Sequence, residues 1–200
     1  MATLNSTLPP RAWQRMLSGR RLDLLDPSPI DIEIGDIAHG LARVARWNGQ
    51  TVGAHIFSVA QHSLLVEAIA GNLRPALAPR WRLAVLLHDA PEFVVGDIIS
   101  PFKAVLGDGY KAVENRILAA IHLHFGLPPA LPEVHHRLLK RADQAAAYLE
   151  ATRLAGFDHA EARRFFGRPQ GVPADLDLTP WPAEMAEGRF LARAETLLHS

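Results

Sequence analysis

The stretch Ala84–Ile98, AVLLHDAPEFVVGDI, opens on an unbroken apolar run and then sets His88, Asp89, Glu92 and Asp97 within ten residues. Read together with the residues before it, PRWRLAVLLHDA predicts a helix that starts near Pro79, since proline is favoured at a first helical position. Pro91 disfavours helical geometry in its predecessor, so the helix is expected to be interrupted at Ala90. An apolar helix is thereby stopped directly after a His-Asp pair, and polar side chains gather where buried backbone ends.

Working outward, the N-terminal neighbour shows the same helical period. From Ser58 onward, Val59, His62, Ser63, Val66, Ile69, Ala70 and Leu73 fall on one face by steps of three and four, which points His62 inward. Further upstream, Asp36 is expected to cap a short helix through Arg46, and WNGQTVG supplies two glycines and an Asn to turn the chain. Residues 1 to about 34 mix Pro, Ser and Asp with short apolar runs and read as an irregular arm, with strand confined at most to a short β-hairpin. On the C-terminal side, Val113, Ile117, Ile121 and Phe125 recur at four-residue intervals up to a Gly126 C-cap. Leu138, Leu139, Ala142, Ala146 and Leu149 repeat the pattern. A Pro- and Gly-rich connector follows, GRPQGVPADLDLTPWPAE, and Phe190, Leu191, Ala194, Leu197 and Leu198 dock a last helix. The expected fold is all-α, as one domain over residues 1–200: a core of about 36–155, an arm 1–35, and a connector with its helix at 167–200.

At 200 residues the chain suits one domain with its own core. Lys plus Arg and Asp plus Glu stand at 21 each, so no broad basic field exists to bind a nucleic-acid polymer. The absence of cysteine removes disulfides and thiolate ligands and fits a reducing, cytoplasmic setting, and any metal must be held by nitrogen and oxygen. No run approaches the roughly 18 apolar residues of a membrane span, so no membrane partner is expected.

Asp143 sits beside Ala142 in the apolar stripe of its helix. A carboxylate withdrawn from water costs several kcal/mol unless it is paired or bound to a cation. Lys140 or Arg141 could pair with it, and His62 alone could be a hydrogen-bonded core histidine. Taken together, His62, His88, Asp89 and Asp143 could also form one N/O site for a divalent ion on three helices. Such a set suits Mn, Fe, Co, Ni or Zn better than Ca. Spacing leaves both readings open.

The motifs AQHS, LLHD and KRAD resemble those of the HD-domain phosphohydrolase superfamily, in which a His, a His-Asp pair and a final Asp lie on separate helices. The likeness extends to the bacterial HD-domain 5′-deoxynucleotidases through RW at Arg46-Trp47, SVAQHSL at Ser58–Leu64, HDAPE at His88–Glu92, GDIISPFK at Gly96–Lys103 and YKAVE at Tyr110–Glu114, and covers about residues 36–155. It implies an HD-domain helical bundle, with His62, His88, Asp89 and Asp143 as ligands of one divalent transition metal. It also implies a small deoxynucleotide substrate and a homo-oligomer. Glu92 is then the catalytic residue, orienting or deprotonating water or protonating the leaving oxygen. Arg46 and Lys103 face the phosphate, and Trp47 and Asp97 border the sugar. Asp97 could instead cap the helix entering IISPFK.

Four protein ligands leave two positions on a six-coordinate ion, for a water and a phosphate oxygen. The expected reaction is attack of a metal-bound hydroxide on the phosphorus of a deoxynucleoside 5′-monophosphate. Two alternatives stand beside it. The long arm resembles a branch that includes deoxynucleoside triphosphate triphosphohydrolases, which would need further cations from Lys111, Lys140 or Arg141. The other is a non-catalytic helical module whose structural metal has a closed shell, with Glu92 turned away.

Overall fold

The structure is a computed structural model, and it describes residues 11–169, 172 and 176–200, with Ser100, Pro101 and Ala104 described by backbone alone. Its elements run β1 (Trp13–Arg15), β2 (Arg21–Asp23), α1 (Ile34–Leu41), α2 (Val59–Leu73), α3 (Pro79–Leu86), α4 (Glu92–Val95), α5 (Ser100–Leu106), α6 (Asp108–His124), α7 (Glu133–Arg153), α8 (His159–Phe166) and α9 (Ala183–Leu198). The fold is all-α apart from the antiparallel β1–β2 hairpin, in which Trp13 pairs with Asp23 and Arg15 with Arg21.

Helix α2 is the spine. Ser58 stands before it in extended geometry, and its hydroxyl accepts from the Gln61 amide, satisfying one of the donors a helix start leaves open. Spacing assigned α2 one inward face, but the helix is buried nearly all round because it lies between two apolar clusters. Val59 and Ala60 join Ile37, Leu41, Leu86, Ile121 and Phe190 on one side. Leu65, Val66 and Ile69 join Phe57, Ala142, Ala146 and Leu149 on the other. A charge so deep needs partners: Glu67, 3% exposed, is met by Arg82 from α3 and by two nitrogens of Arg193 from α9.

Several boundaries differ from those expected, each for a local reason. The helix of the opening stretch ends at Leu86 rather than Ala90. There the last turn tightens to a three-residue bond, the Val85 carbonyl accepting from the His88 amide at 3.3 Å and from the His88 ring Nδ1 at 2.9 Å. Helix α1 begins after Glu33 and ends at Leu41, not Arg46; Asp36 is not its cap but lies buried in its first turn, accepting from the Ser18 amide at 3.0 Å and from the Ser18 hydroxyl. Asp97 caps nothing, as Ile99 precedes α5. The N-terminal arm is part of the core, with Leu22 and Ile32 almost fully buried in the same cluster as α1 and α9. Helix α8 was not foreseen. Of the calls on the arm and connector, residues 1–10, 170, 171 and 173–175 lie outside the described residues.

Two features press the site elements together. A Cβ at Gly40 would come within 2.8 Å of the Phe93 backbone and side chain, so only glycine lets α1 approach α4 this closely. The turn after α1 places Trp47 and Asn48 in the left-handed region, with φ of 57° and 50°. Such geometry costs on the order of 1 kcal/mol or more for a residue other than glycine. Here it is held by the Arg46 amide on Phe57 and the Gln50 amide on Trp47.

Candidate active site

His62 lies one turn into α2 and is fully buried. Its Nδ1 is 2.5 Å from Glu150 Oε1 on α7. A carboxylate can only accept, so Nδ1 carries a hydrogen, and Nε2 is the nitrogen left to bind an ion once it has shed its own proton. His88 is arranged alike: Nδ1 donates to the Val85 carbonyl and Nε2 is free. Both Nε2 atoms are buried and have no hydrogen-bond partner among the described residues.

The carboxylates meet these two atoms. Asp89 Oδ2 is 3.4 Å from His62 Nε2 and 3.2 Å from His88 Nε2. Asp143 Oδ1 is 3.3 Å from His62 Nε2, and its side chain, expected inside an apolar stripe, is 41% exposed. It turns to His62 and not to Lys140 or Arg141, which are both exposed. His62, His88 and Asp143 each offer a donor atom within 4.8 Å of the others. The four residues predicted as one cluster are thus brought together. Orphaned buried imidazole nitrogens faced by carboxylate oxygens, without sulfur, fit a first-row divalent ion.

Charges in the cluster are strongly coupled. Burial opposes the His62 charge, and so does Arg46, yet Glu150, Asp143 and Asp89 hold its proton affinity well above the ordinary histidine value. Burial likewise opposes ionisation of Asp89 and of Asp143, and the neighbouring histidines overcome it in both. Glu150, fully buried, is brought down to about 2 against its own desolvation by His62, Arg46 and the Trp47 indole.

The cluster opens on a cavity of about 780 Å³ whose lining includes Asp89, Asp143, Glu92, Asp97, Arg46 and Lys103. Glu92, the first residue of α4, is almost fully buried, and its Oε2 has no partner among the described residues. Desolvation, reinforced by Asp89 and Asp97, pushes its carboxyl up to about 9. Lys103 Nζ reaches Glu114 at 2.9 Å and Glu92 at 3.5 Å. Arg46, expected at the phosphate, commits Nη1 to Asp97 at 3.1 Å and Nε to Glu150 at 3.4 Å. Trp47 lines the cavity and anchors its indole N–H on Glu150 at 2.9 Å.

Glu150 is the residue that sequence reasoning missed. It gathers His62, Arg46 and Trp47 on one buried carboxylate, and its signal was an acid in the otherwise apolar run AAAYLEA, seven residues after Asp143 on the same helical face. Phe157, Phe165 and Phe166, which line the cavity, were missed as well.

Among the described residues, no helix is long and apolar enough to cross a membrane. Residues 37–156 match the family described as 5′-deoxynucleotidase YfbR-like. An uncharacterized protein of Rhodobacter capsulatus is 56% identical over 191 residues, covering 95% of this chain and 97% of its own length. The uncharacterized protein YfdR of Escherichia coli is 32% identical over 169 residues, covering 84% of this chain and 85% of that protein. A 5′-deoxynucleotidase of Cronobacter sakazakii is 30% identical over 119 residues, with 46% of this chain and 58% of that protein aligned. The match to the family and the length of these likenesses agree with the cluster in the fold: the chain belongs to the YfbR-like 5′-deoxynucleotidase family of metal-dependent HD-domain phosphohydrolases.

Proposed function

We propose that the protein removes the 5′-phosphate from deoxynucleoside monophosphates, with one divalent transition ion held by His62, His88, Asp89 and Asp143. The observation that carries this reading is the pair of buried, partnerless Nε2 atoms facing carboxylates that line a cavity with an acid and two cations. When bound, the ion supplies positive charge that polarises the phosphoryl group and lowers the pKa of water.

The chain's own residues do the rest. Glu150 and the Val85 carbonyl fix the tautomers of His62 and His88, so that each presents Nε2. Glu92 is the general acid: it lies almost fully buried on the cavity, with Oε2 uncommitted, and its proton goes to the departing 5′-oxygen. Lys103 and the part of the Arg46 fork not committed to Asp97 and Glu150 orient the phosphate. Trp47, with its indole held on Glu150, and Asp97 border the sugar.

Cavity charge favours a monophosphate over a triphosphate. The lining carries Arg46 and Lys103 against Asp89, Glu92, Asp97 and Asp143, while Lys111, Lys140 and Arg141 do not line it. A triphosphate would bring two further negative charges, and no Lys or Arg beyond Arg46 and Lys103 lines the cavity to meet them. A structural ion in a closed shell is likewise disfavoured, because Asp143 is partly open and Glu92 lines the cavity. Homo-oligomeric assembly belongs to the same reading on the strength of family membership, and light scattering tests it.

The deciding experiment is a product assay on metal-stripped protein repleted with Co, Mn, Ni, Fe or Zn, using matched panels of ribo- and deoxynucleotides. Orthophosphate from deoxynucleoside monophosphates is the expected product. Triphosphate from deoxynucleoside triphosphates, or no turnover with any ion, overturns the reading.

A further inference from the structure

The cavity is lined by two chemically different groups of residues. One is ionic, with Asp89, Asp143, Glu92, Asp97, Arg46 and Lys103; the other is aromatic, with Trp47, then Phe157 and Phe166 against it, and Phe165 against those two. Phe157, Phe165 and Phe166 follow the segment matched by the family, which ends at residue 156. Phe165 is 60% exposed even though it stands on the cavity. A ring left that open forgoes burial, and filling the cavity would recover it.

The rings behind Phe165 pack on one another. Phe157 meets Trp47 with ring centroids 5.6 Å apart and Phe166 at 6.1 Å, and Phe166 meets Trp47 edge-on at 5.7 Å. Helix α8, which carries Phe165 and Phe166, is capped by Asp158 accepting from the Ala160 and Glu161 amides, and is tied to α7 by Tyr148 and His159 at 3.0 Å. A flat ligand face therefore finds a preset surface, not one that must be ordered on binding.

We propose that Phe165, backed by Phe157 and Phe166, is the nucleobase platform of this site, so that base recognition is by stacking on α8 and tolerates every base. This rests on the nucleotidase reading above. A ligand with phosphate at one end and a planar heterocycle at the other has a partner in each group of lining residues, and stacking discriminates weakly among bases because each has a π face.

The test uses the full chain as wild type, Phe165→Ala and Phe165→Trp. Exposure of Phe165 makes its truncation tolerable to the fold. Two readouts are taken: the ratio of kcat/KM for deoxynucleoside monophosphates to that for 2-deoxyribose 5-phosphate, which lacks a base, and the Kd for deoxyadenosine and thymidine by calorimetry. In Phe165→Ala the ratio falls about 5- to 100-fold and the nucleoside Kd rises by a similar factor, while Phe165→Trp restores both. A ratio and Kd equal to wild type in Phe165→Ala overturn the platform, as does an equal loss on both substrates with nucleoside binding intact. If wild type hydrolyses no nucleotide, the nucleotidase reading fails, and the platform is decided by nucleoside Kd alone.

Discussion

Glu150 shows how one buried side chain organises the rest. It has no contact with substrate in this account, yet it fixes the His62 tautomer, anchors Trp47 and shares the Arg46 charge. Glu150→Gln keeps the shape and removes the charge, and is expected to weaken ion affinity about 10- to 100-fold, measured by competition with a chelator. Glu92 makes the opposite case. In metal-stripped protein its carboxyl is raised from 4.5 to about 9, so between those values the folded chain keeps a proton that the unfolded chain gives up. Stability is therefore lost as pH climbs through that window. Glu92→Gln carries no such dependence: its advantage in thermal stability over stripped wild type grows from about pH 5 to about pH 8, while turnover falls on the order of 100-fold or more. That His62, His88, Asp89 and Asp143 belong together was legible through the likeness of AQHS, LLHD and KRAD to known motifs, since their spacing alone left a paired-core reading open. Glu150 was not, since a lone Glu in a helix is ordinarily a solvated side chain.

At the scale of elements, what was legible followed from apolar period and caps. Helices α2, α6, α7 and α9 lie where their repeats placed them. Helix α8 escaped because HAEARRFF is only eight residues long, so its one apolar step, Ala162 to Phe165 and Phe166, never repeats. The early end of α3 escaped because it comes with the His88 ring on the Val85 carbonyl, a side-chain contact that no propensity encodes. The start of α2 gives a direct check, since Ser58 is both its cap and one turn from His62. Ser58→Ala is expected to cost about 1 kcal/mol, read from urea denaturation of the stripped protein. A loss within error of zero would mean that the cap does not hold the helix start.

For the molecule as a whole, the arm and the last helix close the same core that supports the site. Leu22 and Ile32 from the arm and Phe190, Ala194 and Leu197 from α9 share one cluster with α1 and α3. Phe190 is fully buried, and Phe190→Ala is expected to destabilise by about 3–5 kcal/mol in one cooperative transition that includes α2. The central claim concerns the ion. Stripped wild type and His88→Ala should be titrated with Co²⁺ while the visible spectrum and proton release are followed. Wild type is expected to bind one equivalent with release of the proton that His62 holds in the stripped state, and His88→Ala to lose that tight equivalent. No binding by wild type, or an unchanged tight equivalent in His88→Ala, would contradict it.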